Sequence, residues 1–365
     1  RIGFVMTLRI EIPAQAEKDS APIGERVAAL VGSPLNVLVA MVVALVVVAG
    51  AWRFLHWAVL DAAWSGGAEA CRTHTGACWP FVRANARLMI FGVYPEWALW
   101  RAQASLALMV AVIAASMSPR FWGWPLWIAW VATPAFVCLL LSGAFTSTPV
   151  ATNDWGGLPL TLLVWMIAFG GSFIVAVPLA LARRSQLGGL RTAAIATIEL
   201  VRAVPMLVAL YVSRFIVPMM APGLDINLFV SVEVALVLFV ASYLAEILRA
   251  GFQSLPRGQY EAAQVLGLGY FRAVQLVLLP QALRAVIPAL VNLGVGLLLS
   301  TPLIAVIGMT DFLSAVRVAA AQEQAWPRCY TTAYVFAGGV FFAVCFSASR
   351  YSRWLERRLR ATGHS

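Results

Sequence analysis

Apolar residues along this chain fall in long unbroken runs separated by short polar stretches. Eight runs stand out, at roughly 36–55, 102–118, 122–145, 158–182, 193–217, 228–249, 282–307 and 330–348. A helix needs about 20 apolar residues to cross the hydrocarbon core of a bilayer. Each run has that order of length, and none shows the roughly ten-residue alternation of a membrane barrel strand. The pattern predicts an all-α integral membrane protein with about eight transmembrane helices. Segment 1–36 is of mixed polarity and lacks an apolar core ahead of a small-residue cleavage site, so the first run is expected to be a true span.

The polar stretches set the organisation. Residues 146–158, TSTPVATNDWGGL, are loop-like. They predict a boundary between an N-terminal extension with three spans, 1–145, and a five-span core, 146–365. The extension holds a long loop, 56–101, in which Trp57, Trp64, Trp79 and Trp97 are candidate interface anchors.

Composition agrees with the pattern. The chain is 61% hydrophobic and 12% charged; a soluble domain is about half apolar and about a quarter charged. Its net charge of +10 comes mostly from arginine. The arginines form no single basic stripe, which argues against nucleic acid as a partner. They cluster instead at 183–191 (Arg183, Arg184, Arg191) and in the tail (Arg350, Arg353, Arg357, Arg358, Arg360). Cytoplasmic loops carry such an excess. Counting spans from there places 250–281 and both termini in the cytoplasm, and 56–101 outside.

Five cysteines show no metal-ligand spacing. Cys71 and Cys78 are the one close pair, and with His74 they make an incomplete zinc set. On the outer side of a membrane facing an oxidising compartment they read either as a disulfide closing a small loop or as two unrelated thiols. No GxxxxGK[ST] phosphate loop, Ser-His-Asp pattern or HExxH pattern is present, and His56, His74 and His364 lie in loops, at a span end or in the tail. An enzyme is therefore not expected, and any ATP hydrolysis belongs to another polypeptide.

The longest polar stretch of the core is 250–281, AGFQSLPRGQYEAAQVLGLGYFRAVQLVLLPQ. Gln259–Leu266 is predicted as a short helix ended by Gly267 and Gly269. An amphipathic run, Phe271–Leu279, leads to Pro280. A short helix lying across a cytoplasmic loop is placed to dock in a groove of a soluble partner. An isolated Glu-Ala-Ala is no more than a good helix former. Here Glu261, Ala262 and Ala263 are followed by Gly267 and then by Leu279-Pro280.

That spacing resembles the EAA motif of permeases of ATP-binding-cassette importers. GGLPLTL at 156–162, IELVRAVP at 198–205, AEILRAGFQSLPRGQYEAA at 245–263 and SRYSRWLERRL at 349–359 resemble elements of the polar amino-acid subfamily. The extension looks like that of the M-type permease of general L-amino-acid or glutamate/glutamine/aspartate/asparagine importers. The resemblance implies an L-amino-acid substrate, a second homologous permease, a periplasmic amino-acid-binding protein and an ATPase homodimer that holds ATP and Mg. It implies no cofactor in this chain. It also implies that Glu261, Ala262, Ala263 and Gly267 form the coupling site for the ATPase. An ion-gradient-driven secondary transporter is the rival; it has no reason to own an EAA loop.

Charges inside spans are costly and default to paired or functional roles. Glu199 and Arg202, and again Glu246 and Arg249, stand three apart. Each pair reads either as a local brace or as a gate on the substrate path. Arg214 and Glu233 lie on consecutive spans at similar depth and are expected to pair, as a staple or facing the path. Asn292 reads as a buried amide. The apolar run 283–313 is too long for one straight span, so a break is expected at Ser300-Thr301-Pro302. The subfamily usually carries a Lys-Asp pair there. Its absence suggests that the partner permease bears more of the charge recognition. Ala203 and Ala250 stand where the family element has glycine.

Overall fold

The computed structural model describes residues 34–221, 223, 226–321, 326 and 329–362. The expected cytoplasmic N-terminus, His364 and the side chain of Arg360 lie outside the described residues. The chain divides into two compact units, Arg1–Cys78 and Trp79–Ser365.

In the first unit, α1 (Pro34–Leu55) is apolar all round and buries none of its residues. Such a helix has lipid as its solvent. The loop beyond it closes on itself. Ala77 N–H donates to the Trp57 carbonyl at 2.8 Å and Gly76 N–H to Asp61 at 3.1 Å. Cys71 and Cys78 are joined by a disulfide across a Cα–Cα distance of 5.4 Å.

The second unit holds the helices α2 (Leu99–Ser116), α3 (Trp124–Ser142), α4 (Gly157–Arg183), α5 (Gly188–Ala203), α6 (Met206–Tyr211) and α7 (Leu228–Ser254). It continues with α8 (Arg257–Val265), α9 (Ile287–Ser300), α10 (Phe312–Ala320) and α11 (Cys329–Thr362). Helices α4 and α7 form its centre and are its most buried spans. Both α2 and α3 pack on α4.

Helix α4 starts on two glycines because the backbone there is crowded. Gly156 and Gly157 bridge Thr310 and Asp311. Gly157 has φ +68°, and a Cβ on it would collide with the Ile90 carbonyl. Asp311 caps α10, accepting from Leu313 N–H at 3.1 Å and Ser314 N–H at 3.0 Å.

Among the described residues seven helices are long and apolar enough to span a membrane. The expected span 193–217 is not a straight helix. Gly188–Ala203 and Met206–Met220 meet at 100°. Pro205 forces the break: the residue before a proline is driven out of the helical region, and Val204 has ψ 129°. The bent pair must still cross once. Near the start of α7, Asn227 bonds Thr152, just before α4, at 3.0 Å; at their ends Arg183 and Arg249 line one cavity. Helices α4 and α7 therefore run parallel, and the bent pair lies on the chain that returns between them; counted as one span, it brings the candidate spans among the described residues to eight.

The run 282–307 is interrupted twice. Leu279–Ala285 and α9 are separated at Val286. At Ser300 the α-helix gives way to 3-10 turns over Thr301–Ile307.

Candidate functional site

Helix α8 spans the EAA sequence and lies between α7 and the next span. Its inner face is tied down. The Tyr260 hydroxyl donates to the Phe252 carbonyl at 2.8 Å, and Gln281 Nε2 donates to Gln259 Oε1 at 2.9 Å. Ala263 is buried; a larger side chain there would push the helix off its support. Its outer face is free. Glu261 and Ala262 are exposed, and Val265 and Leu266 are 88% and 75% exposed. Apolar side chains so exposed on a polar loop mark an interaction surface.

Gly267 ends the helix. Its N–H donates to the Gln264 carbonyl at 2.9 Å and the Leu268 N–H to Ala263 at 3.1 Å. This is the double hydrogen bond of a Schellman cap, which needs a left-handed residue, and Gly267 has φ +72°. A Cβ on Gly267 would meet nothing within 4 Å. The glycine is required for backbone conformation, not for space within this chain.

The charged residues in the spans are arranged differently from their spacing. Arg249 Nε meets Glu246 Oε2 at 2.9 Å, the local pair that the spacing suggests. Glu199 does not pair with Arg202. It meets Arg183 Nη1 at 3.2 Å, and the same nitrogen lies 3.0 Å from Glu246 Oε1. The second contact lacks hydrogen-bond alignment and is an ion pair by charge and distance. Arg202 instead stacks over Tyr243 at 5.1 Å. One arginine from the end of α4 thus joins α5 to α7, which no i, i+3 count reveals.

Arg214 and Glu233 form no ion pair. Ser213 faces α7, its hydroxyl donating to the Ser231 carbonyl at 2.6 Å, and in the π-helical turn Val212–Ile216 the next residue points to another side. Arg214 turns to Phe215. Glu233 is 6% exposed, and neither carboxylate oxygen has a hydrogen-bond partner. It lies within electrostatic reach of Cys138 on α3.

Asn292 is exposed rather than buried. It lines a cavity of about 200 Å³ with Ser349, Ser352 and Arg353. Ser300 donates to the Gly296 carbonyl at 2.8 Å, and the buried Thr301 to Leu298 at 2.8 Å. Both hydroxyl protons are spent on the chain's own backbone. Ala203 and Ala250 are exposed, so their methyl groups disturb no packing. Gly251 stays glycine where a Cβ would lie 2.8 Å from the Ala282 carbonyl oxygen.

Arg101 carries weight that sequence reasoning missed. It is 3% exposed, and its guanidinium donates to Thr146 Oγ1 at 2.8 Å and to the Thr148 carbonyl at 3.1 Å. It clamps the turn after α3. A charge at the very edge of the apolar run 102–118 was the available sign.

Comparison with known proteins supplies the family. Residues 174–361, more than half the chain, match the model of the binding-protein-dependent transport system inner membrane component. The inner membrane amino-acid ABC transporter permease protein YhdY of Escherichia coli K12 is 40% identical over 83% of this chain and 84% of its own length. The glutamate/glutamine/aspartate/asparagine transport system permease protein BztC of Rhodobacter capsulatus is 31% identical over 78% of this chain and 80% of its own. A crystal structure of an amino acid ABC transporter is 30% identical over 55% of this chain and 92% of its own, with a TM-score of 0.47. By the match of residues 174–361 and the likeness to these two permeases over most of their length, the chain belongs to the binding-protein-dependent transport system inner membrane component family.

Proposed function

We propose that this permease carries L-amino acids inward across the bacterial inner membrane, driven by a separate ATPase homodimer that docks on α8. The observation that carries the reading is the two-faced build of α8, fixed to its own spans on one side and presenting Glu261, Ala262, Val265 and Leu266 on the other. Gly267 sets the exit angle of the chain from that surface. ATP and Mg are held by the ATPase, and hydrolysis takes place there. The amino-acid class follows the names of the two long relatives.

A periplasmic binding protein delivers the substrate from the side of the disulfide loop. An oxidising compartment for Cys71 and Cys78, and cytoplasmic arginines at the end of α4, support that orientation, with both termini inside. A second, homologous permease completes the path. Ser300 and Thr301, with their protons bonded internally, offer little to a charged substrate, which supports charge recognition by the partner permease. Glu199, Arg202, Glu246 and Arg249 then stand at the cytoplasmic end of the path, with Arg183 as the link of the gate. Affinity purification from native membranes tests the assembly: an ATPase, a second permease and a binding protein should co-purify. Recovery of this chain alone, with uptake driven by an ion gradient, would overturn it.

A further inference from the structure

At the ends of α4 and α7 lies a cavity of about 360 Å³ lined by Arg183, Arg184, Arg191, Ile195, Arg249 and Gln253. Four guanidiniums face one space. Two carboxylates reach them, Glu199 on Arg183 and Glu246 on both Arg183 and Arg249. Four positive and two negative charges leave two positive. Arg184 spends one donor on the Tyr260 hydroxyl at 2.8 Å and stacks over Phe252 and Tyr260. The guanidinium of Arg191 has no ion pair or hydrogen bond among the described residues. A guanidinium stays charged at any physiological pH, so this surplus must be met by an anion or by water.

We propose that the cavity binds a phosphate-bearing anion. The planar fork of arginine matches phosphate oxygens two at a time. Its place, at the ends of two membrane spans, fits the headgroup of an acidic phospholipid. Helix α5 adds exposed apolar side chains beside the arginines, Leu190 at 49% and Leu187 just before it at 68%, where acyl chains can lie. Free inorganic phosphate shares the headgroup chemistry but has no use for those leucines. The bound anion also draws on Arg184, the residue that holds Tyr260 of α8. Occupation therefore alters how firmly the coupling helix is held; this consequence, unlike the binding itself, rests on the transporter reading.

The test is native mass spectrometry of the complete detergent-purified transporter, titrated in parallel with dioleoyl-phosphatidylglycerol, dioleoyl-phosphatidylcholine and inorganic phosphate. The acidic lipid should bind about tenfold more tightly than the zwitterionic one. Arg191→Gln should lose about tenfold of that affinity, and Arg191→Lys should fall between. Arg191 is exposed, and an unchanged subunit ratio in the same spectra shows that the variant is assembled. Phosphate binding with the same Arg191 dependence, without lipid selectivity, supports the site with a soluble source. Indifference of both anions to Arg191→Gln, or equal retention of the two lipids without phosphate binding, overturns the site. These readouts need no ATP, so they fail independently of the transport assignment. Separately, ATP hydrolysis in nanodiscs of the two lipids should differ at least about twofold in the native complex and not in Arg191→Gln. Equal rates with lipid bound would overturn the link to α8.

Discussion

A buried guanidinium without a carboxylate must recover its hydration from neutral acceptors and rings, and Arg101 does so. Thr146, Thr148 and the faces of Trp97 and Trp100 surround it. Nearby, Tyr94 donates to the Leu141 carbonyl at 2.7 Å, and burial raises its pKa while the Arg101 charge partly opposes the rise. Arg101→Leu removes the charged hydrogen bonds to Thr146 and Thr148 and should cost about 2 kcal/mol or more. A clear fall in the thermal unfolding midpoint of the purified complex is expected, and an unchanged midpoint would contradict the clamp. Glu233 is the reverse case. Its carboxyl oxygens are buried without partners, a cost of about 1–3 kcal/mol. Glu233→Leu should raise the same midpoint, and a lower one would mean that the carboxyl has a partner in the assembly. Gly267→Val meets no clash within the chain but imposes a left-handed strain of about 1–2 kcal/mol. The expected result is normal insertion with uptake reduced about tenfold or more; normal uptake and normal substrate-stimulated hydrolysis would remove Gly267 from the coupling surface.

At the scale of the element, α8 shows how a short helix can carry force. Nine residues are too few for a stable isolated helix. Tyr260, Ala263, Gln259 and the Gly267 cap supply what length does not. Its outward face should hold the ATPase, so Val265→Asp with Leu266→Asp should weaken retention of that subunit about tenfold. Full co-purification would contradict this. Much of the element plan is legible in the sequence, because lipid demands long apolar runs and because the EAA spacing fixes a helix, a cap and a return. The rest depends on contacts between distant residues. The Val204-Pro205 bend sits in an unbroken apolar run, and only the proline marks it. The i, i+3 count pairs Glu199 with Arg202, but Arg183 comes from another helix and cannot be seen in local spacing. Asn292 reads as buried from its apolar neighbours, yet a lone span does not say which of its faces meets protein. Arg214 and Glu233 share a depth but not a direction, since Ser213 already occupies the face toward α7.

For the whole molecule, the parallel course of α4 and α7 puts their arginine-rich ends on the same side as α8, and the proposed topology has the 56–101 loop outside the cell. A thiol-reactive impermeant reagent should label a cysteine introduced at His74 from outside the cell and one introduced at Arg257 only after the membrane is opened. Labelling on the opposite sides would invert the topology. The central claim is that this permease is moved by ATP through a partner, not by an ion gradient through itself. The most direct measurement is uptake of a panel of radiolabelled L-amino acids into proteoliposomes holding the complete complex, with the binding protein outside. The account predicts accumulation that requires ATP inside and survives dissipation of every ion gradient; accumulation without ATP, abolished when the gradients are collapsed, would contradict it.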